Sequence, residues 1–542
     1  MIRITQLNLP IDAGQGALIK KASKLLRLRE DDIKKVHIVK RSIDARKKPD
    51  IFYSHVIDVE LKADGKSEMQ IVKRSKSSQI TIAKDVSYVF PHTGEETMKQ
   101  RPVVIGMGPA GLFCAYYLAK AGFRPIVLER GKCVEERTKD VERFWAGEKL
   151  LPHSNVQFGE GGAGTFSDGK LNTLVKDKDG RNREVLRIFV EHGAPEKIFY
   201  DAKPHIGTDI LRNVIRSMRE EMIKNGAEVH FESKVSGFQI ENGSIHGVVL
   251  EDGRNFASEH VILAIGHSAR DTFYELRRME VPMEAKSFAV GFRVEHPQRI
   301  INMSQYGMED AGELGAAPYK VAYQTSVGRG VYSFCMCPGG YVVNASSEEE
   351  ALAVNGMSYS GRDSANANSA IIVSVSPKDY GSDDPLAGIA FQRELEKRAY
   401  EAGGGQIPVQ RYGHFKALVQ NSEAGEIATD FMPCTKGAYT WTDLTKILPT
   451  ECNEAFVEGM ETFGKNIQGF CADDVIMLGV ESRTSSPVRI HRDASLQSSI
   501  RGIYPAGEGA GYAGGITSAA MDGMRIAEEI AKRYKGIDEE TL

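Results

Sequence analysis

Three glycines, Gly106, Gly108 and Gly111, and an acid, Glu129, stand at a spacing that speaks directly of chemistry. The apolar run Val103-Val104-Ile105 enters the turn Gly106-Met107-Gly108-Pro109-Ala110-Gly111, and a helix is predicted from Pro109 to Ala121. In such a unit the first glycine permits the tight turn, the second lets backbone approach a pyrophosphate, and the third lets helix and strand pack closely. A pyrophosphate at the helix start meets unpaired N–H groups and the positive end of the helix dipole. Glu129 closes a second apolar run, Ile126-Val127-Leu128. It lies about 18 residues past Gly111, near the roughly 20 at which a carboxylate holds a ribose hydroxyl and disfavours a 2′-phosphate.

Further glycine-rich segments follow: the loop Gly159 to Leu171, the strand and turn Val261 to Gly266 running on to His267, and Gly502 to Gly515 ahead of a helix predicted over Ile516 to Lys532. Together with GMGPAG, LER, LAIGHSARDT and ESRTSSPVRI, these motifs make the whole chain similar to the bacterial FAD-dependent dehydrogenases of the glutathione-reductase-like flavoprotein superfamily, a family without an assigned substrate. The resemblance implies FAD as cofactor, with NADH or NADPH as a transient donor. It places Gly106, Gly108, Pro109, Ala110, Gly111 and Glu129 at the adenosine and pyrophosphate, and Arg130 or Arg137 beside them. It runs Gly161, Gly162, Gly164 and Thr165 along the pyrophosphate and flavin, with Lys170 near the ring, and sets Val235 against the adenine. Gly266, Gly507 and Glu508 join the cofactor site, and Gly515, Ile516 and Thr517 begin a helix aimed at the flavin edge that carries negative charge on reduction.

A flavin brings its own hydride chemistry, so no separate catalytic motif is required. Lys170, His267 and Arg483 are the weak catalytic candidates, and hydrogen bonding to backbone or cofactor phosphate is the plainer role for each. Arg137 reads equally as a solvated helix charge. Cys335 and Cys337 alternate in a predicted strand, so both thiols can share one face; ordinary burial is the plainer reading there too. The seven cysteines are odd in number, dispersed and free of CxxC spacing, which argues for a reducing compartment and against a structural metal.

The sequence has 542 residues, 41% of them hydrophobic and 26% charged, enough for several cores. Its opening residues lack the apolar stretch of a secretion signal, and Val103 to Ala121, the longest apolar candidate for a membrane span, is used by the nucleotide turn. The expected address is the cytoplasm. The first 100 residues carry 20 Lys and Arg against 13 Asp and Glu, and the remainder 49 against 60. The basic run Lys34 to Lys48 suits an intramolecular acidic face, with an acidic partner or a nucleic acid as alternatives; an aromatic RNA-binding signature is lacking.

The expected architecture is α/β. It comprises a basic α/β module over 1–95, a Rossmann-type FAD-binding domain with a parallel sheet over 100–270 and 471–542, and an inserted α+β substrate domain over 271–470. The function this implies is an FAD-dependent oxidoreductase, moving two electrons as hydride to or from a small molecule. Action on RNA or a macromolecule through the basic module, and a non-catalytic redox sensor, are the alternatives. Oligomeric state is not legible.

Overall fold

The computed structural model describes residues 1–62, 67–84 and 87–537. Parts of the expected first module and the end of the expected last segment, 63–66, 85–86 and 538–542, lie outside the described residues.

The strand Val103–Ile105 is the middle of a five-stranded sheet ordered Ile503–Pro505, Val261–Leu263, Val103–Ile105, Ile126–Leu128, Glu228–His230. Every pairing is parallel. The three inner strands are buried throughout, as short continuous apolar runs in a sheet covered on both faces must be. The helix Pro109–Lys120 is buried from Ala110 to Ala119, which explains a composition apolar on all sides. The helices Thr208–Lys224 and Ile516–Arg533 share its core. The closing helix crosses so near that Gly523 is obligatory.

A three-stranded antiparallel sheet of Val235–Glu241, Ser244–Leu250 and Asn255–Ala257 follows, its hairpin at Asn242-Gly243 where the sequence signals one. The inserted domain is built on a seven-stranded sheet, whose central strands Phe288–Pro297 and Asn366–Val375 pair in antiparallel register over their whole length. Ile476–Glu481 belongs to this sheet and Val488–Ile490 pairs with Met283–Ala285, so the insertion runs past the expected limit at 470.

The N-terminal module has the order β-α-β-β-α-β, with sheet order Ile33–Lys47, Asp50–Leu61, Ile2–Pro10, Ile80–Ile82. Its long hairpin docks on the body. Arg41 pairs with Asp201 at 2.8 Å and exchanges backbone hydrogen bonds with Tyr200 and Ala202, Lys48 donates to the Ser304 carbonyl, and Ile51 enters the core of the inserted domain. Of the other basic residues, Lys34 pairs with Glu60 and Arg46 with Asp44. The module ends before the expected 95. Phe90 stacks on Tyr117 at 5.1 Å, Tyr88 donates to Glu528 at 2.9 Å, and Gly94 N–H donates to the Ala531 carbonyl, so this stretch is part of the nucleotide domain.

Candidate functional site

One continuous cleft runs from the parallel sheet to the inserted domain. Its floor is the turn Gly106 to Ala110, with Gly106 at φ +94°, where a residue carrying a Cβ would strain and would press on the Ala264 carbonyl. Gly108 is the N-cap of the first helix, and Gly515 is the N-cap of the last. Neither helix start has a side-chain cap, so their first N–H groups are left for a ligand, and both N-termini line the same cleft. Across from Gly108 stands Gly162, at φ +63°, whose added Cβ would meet the Gly108 Cα at 3.0 Å.

Glu129 is 4% exposed. Its carboxylate accepts from the N–H groups of Met107 at 2.8 Å, Gly131 at 2.9 Å and Gly159 at 3.0 Å. It therefore ties together the glycine turn, its own strand end and the loop opposite, with one lone pair of Oε2 remaining. Arg130 lines the cleft beside it, braced by Asp271 at 2.9 Å and stacked over Phe158.

Most of the residues expected at the cofactor do meet here: Gly106, Gly108, Pro109, Ala110, Glu129, Arg130, Gly162, Gly164, Lys170, Val235, Gly266, Glu508, Gly515 and Ile516 line the cleft. The remaining expected residues stand one layer back. Gly111 is the point of contact between helix and turn, because a Cβ there would lie 1.9 Å from the Gly106 carbonyl oxygen. Gly161 donates to the Met107 carbonyl and Gly507 to the Asp522 carboxylate. Thr165 is fully buried against the Glu160 carbonyl, and the Thr517 hydroxyl donates to the Leu171 carbonyl.

Arg137 differs most from expectation. It is neither a solvated helix charge nor a cleft residue: it is fully buried, and its guanidinium donates to the carbonyls of Asn155, Val156, Gly159, Glu160 and Gly162. One cation thus shapes the loop that faces the glycine turn.

The three weak catalytic candidates have distinct settings. Arg483 is clamped by both oxygens of the fully buried Glu396, at 2.9 and 2.8 Å, while Arg270 holds the same carboxylate from the other side. Burial would raise the Glu396 carboxyl, but the two guanidiniums outweigh it and hold the group far below its ordinary range. Arg483 is therefore a fixed wall of the cleft. His267 lines the cleft with Nδ1 3.5 Å from Glu508 and with Nε2 buried and unpartnered. Lys170 pairs with Asp168 at 2.9 Å and donates to the Met336 carbonyl; burial opposes its charge, yet Asp168 and the nearby thiols keep its pKa raised. Asp168 is in turn held by Arg362 and Ser358, both at 2.5 Å.

Gln157, Phe158, Asn355, Glu481 and Cys335 also line the cleft and were not expected there. Asn355 and Glu481 come from separate strands of the inserted domain, and both are hydrogen-bonded to Arg293. No sequence spacing carries that signal. Among the described residues no cluster of His, Cys, Asp and Glu fits a metal, and no helix is long and apolar enough to cross a membrane.

A parallel sheet carrying a glycine turn, an acid at the end of its second strand and two uncapped helices opening on one cleft fits an extended dinucleotide. Residues 287–484 match the family described as "FAD-dependent protein, C-terminal domain-like", and residues 1–60 match a domain of unknown function. Fold and site together define the class, a Rossmann-type dinucleotide-binding protein whose residues 287–484 carry the match to an FAD-dependent protein domain. More particularly, the chain belongs to the same family as a protein of Clostridium beijerinckii described as "Uncharacterized protein", being 46% identical to it over 538 residues, 98% of this chain and 99% of that one. Protein FixC of Salmonella typhi is 23% identical over 208 residues, 37% of this chain and 44% of FixC. Among solved structures, L-proline dehydrogenase of P. horikoshii is 13% identical, aligned over 80% of this chain and 94% of that chain with a TM-score of 0.30. Quinol fumarate reductase of E. coli is 12% identical, over 80% and 70%, with a TM-score of 0.34.

Proposed function

We propose that the protein is an FAD-dependent oxidoreductase that moves an electron pair, as hydride, to or from a small organic molecule. The observation that carries this reading is the convergence of two uncapped helix N-termini, at Gly108 and Gly515, on one glycine-lined cleft. When bound, FAD supplies hydride transfer at N5. The chain's own residues then have defined tasks. Glu129 holds the ribose of the adenosine half, with Val235 beside the base. Backbone N–H groups after Gly108 and the Gly162 to Gly164 segment hold the pyrophosphate. The helix that starts at Ile516 stabilises negative charge near its N-terminus by roughly 0.3–1 kcal/mol, more where partly buried. The orphaned Nε2 of His267 is available to the cofactor.

The substrate side of the cleft is walled by the inserted domain, through Asn355, Glu481 and Arg483. Arg483 positions and does not move protons, because a guanidinium stays charged and Glu396 holds its Nε and Nη2 along one edge. NADH or NADPH serves as a transient donor. The N-terminal module braces the body, since Arg41 and Lys48 are both spent on it.

The test is an absorbance spectrum of purified protein, followed anaerobically with NADH and NADPH in separate cuvettes. Flavin bands that bleach with one nicotinamide are expected. Bands that persist with both reassign the donor to the organic substrate, and a protein that takes up no flavin even when FAD is added overturns the reading.

A further inference from the structure

The strand Gly330–Cys337 slips register against Asn366–Val375 between Phe334 and Cys337. Within this bulge Cys335 has φ +43°, a backbone conformation uncommon for a residue with a side chain. Such a conformation persists where its surroundings hold it. Here two cations from different parts of the chain do so. Arg293, fully buried two strands away in the same sheet, donates to the Cys335 carbonyl at 2.9 Å, and Lys170, from the glycine-rich loop of the nucleotide domain, donates to the next carbonyl, that of Met336. The bulge turns Cys335 to the cleft, which it lines together with Phe334 and Lys170.

Cys337, two residues on, is fully buried. Its thiol donates to the Cys335 carbonyl at 3.2 Å and lies 3.8 Å from a guanidinium nitrogen of Arg293, the same nitrogen that donates to the Cys335 carbonyl. The adjacent Cys337 thiol and the charges of Lys170 and Arg293, opposed by burial, draw the Cys335 thiol below its ordinary range. Among the described residues all seven cysteines are free thiols, and Cys335 and Cys337 alone are neighbours in a cationic setting beside the cleft.

We propose that Cys335 and Cys337 are a redox-active dithiol that stores a second electron pair beside the cofactor; this rests on the flavin reading above. In the oxidising direction the Cys335 thiolate sulfur bonds to the Cys337 sulfur, the Cys337 S–H bond breaks, and its proton and the electron pair pass to oxidised FAD, which becomes the reduced anion. In the reducing direction the same balance opens the disulfide. Lys170 and Arg293 hold the thiolate charge, and their own partners, Asp168 at 2.9 Å and Glu481 at 2.8 Å, keep them in place.

The test uses the flavin-loaded full chain under anaerobic reductive titration with dithionite, with thiols counted separately by acid quench, alkylation and peptide mass. The wild type is expected to take up about four electrons per flavin, and Cys335→Ser or Cys337→Ser about two, each couple carrying two. The peptide holding both cysteines should be two hydrogens lighter and unalkylated in air-oxidised protein, and doubly alkylated after reduction. Uptake of about two electrons by wild type, or double alkylation in the oxidised protein, overturns the dithiol while leaving the flavin reading intact. Absence of flavin, seen first in the spectrum, overturns both. The mass readout on wild type stands even where a serine variant fails to fold.

Discussion

Gly523 lies against Ala110 so closely that a Cβ on Gly523 would stand 2.0 Å from the Ala110 carbonyl oxygen. That contact is where the last helix crosses the first helix of the nucleotide unit, and it sets the N-terminus of each toward the cleft.

Gly523→Ala should therefore push the two helices apart. The obstacle is a backbone oxygen, with no flexible side chain to yield, so a cost of about 1–3 kcal/mol is expected. Thermal denaturation with and without FAD checks it: loss of stability should come with weaker flavin retention. An unchanged Tm would show that the crossing adapts freely.

Gly108→Asp should separate binding from folding. Its φ is −72°, open to any residue, and an added Cβ would sit 3.8 Å from Gly162, an ordinary contact. The fold should survive, but a carboxylate would stand where the pyrophosphate is to lie, so bound flavin should fall to background. Flavin content per protein, beside a circular dichroism spectrum, measures both. Normal yellow colour in this variant would remove the cofactor site from the glycine turn.

Arg137→Lys should not be conservative. Five carbonyls share one planar guanidinium, and an ammonium on a single stem cannot reach them all. The Gly159, Glu160 and Gly162 carbonyls keep second donors from Gly162 and Thr165, so the Asn155 and Val156 carbonyls are the ones left unpaired, at about 1–3 kcal/mol each. Limited proteolysis near 155–162 should quicken and flavin affinity should drop.

The pH dependence of stability should carry a signature of Glu295. It is fully buried, accepts from the Cys434 N–H at 3.0 Å and from Asn366 at 3.1 Å, and burial pushes its carboxyl from an ordinary 4.5 up to about 8. Because the folded value is the raised one, its contribution is full below 4.5 and is lost as pH rises toward about 8. The loss is at most about 1.4 kcal/mol per pH unit. Glu295→Gln, neutral at every pH, should gain on wild type across that window, read as a widening Tm difference. A constant difference would place the charge on Glu295 throughout.

Deleting residues 1–87 and deleting residues 1–95 should behave differently, because the second cut also removes the Tyr88 and Phe90 packing on Tyr117. The shorter deletion should remain dispersed and bind flavin. Equal aggregation of both would show that the docked hairpin is indispensable.

The nucleotide unit was legible because its signals are local: glycine, apolar run and acid lie within thirty or so residues, a span one supersecondary unit fixes by itself. The strand Ile80–Ile82 was not, since three residues after a polar run of lysines and serines are too few to show a period. Burial of Arg293 and Glu481 was equally hidden, because each is an acceptable core residue only in the presence of the other, across strands far apart in sequence. Arg137 was misread because helical spacing marks a face as polar without saying whether that face meets water or a ring of carbonyls. Cys335 shows the same limit within one strand: alternation assigns faces, and a bulge reassigns them.

The parallel sheet is bordered by Ile503–Pro505, and the second open helix start comes at Gly515, so the cofactor cleft is assembled from the two ends of a polypeptide that detours through the inserted domain between them. During synthesis the glycine turn emerges about four hundred residues before the segment that completes it, and domains form as their parts leave the ribosome. The inserted domain can therefore fold while the nucleotide half waits, an apolar helix and bare strands on either side of it exposed. The cleft is therefore complete only once Gly515 and the helix behind it have been made.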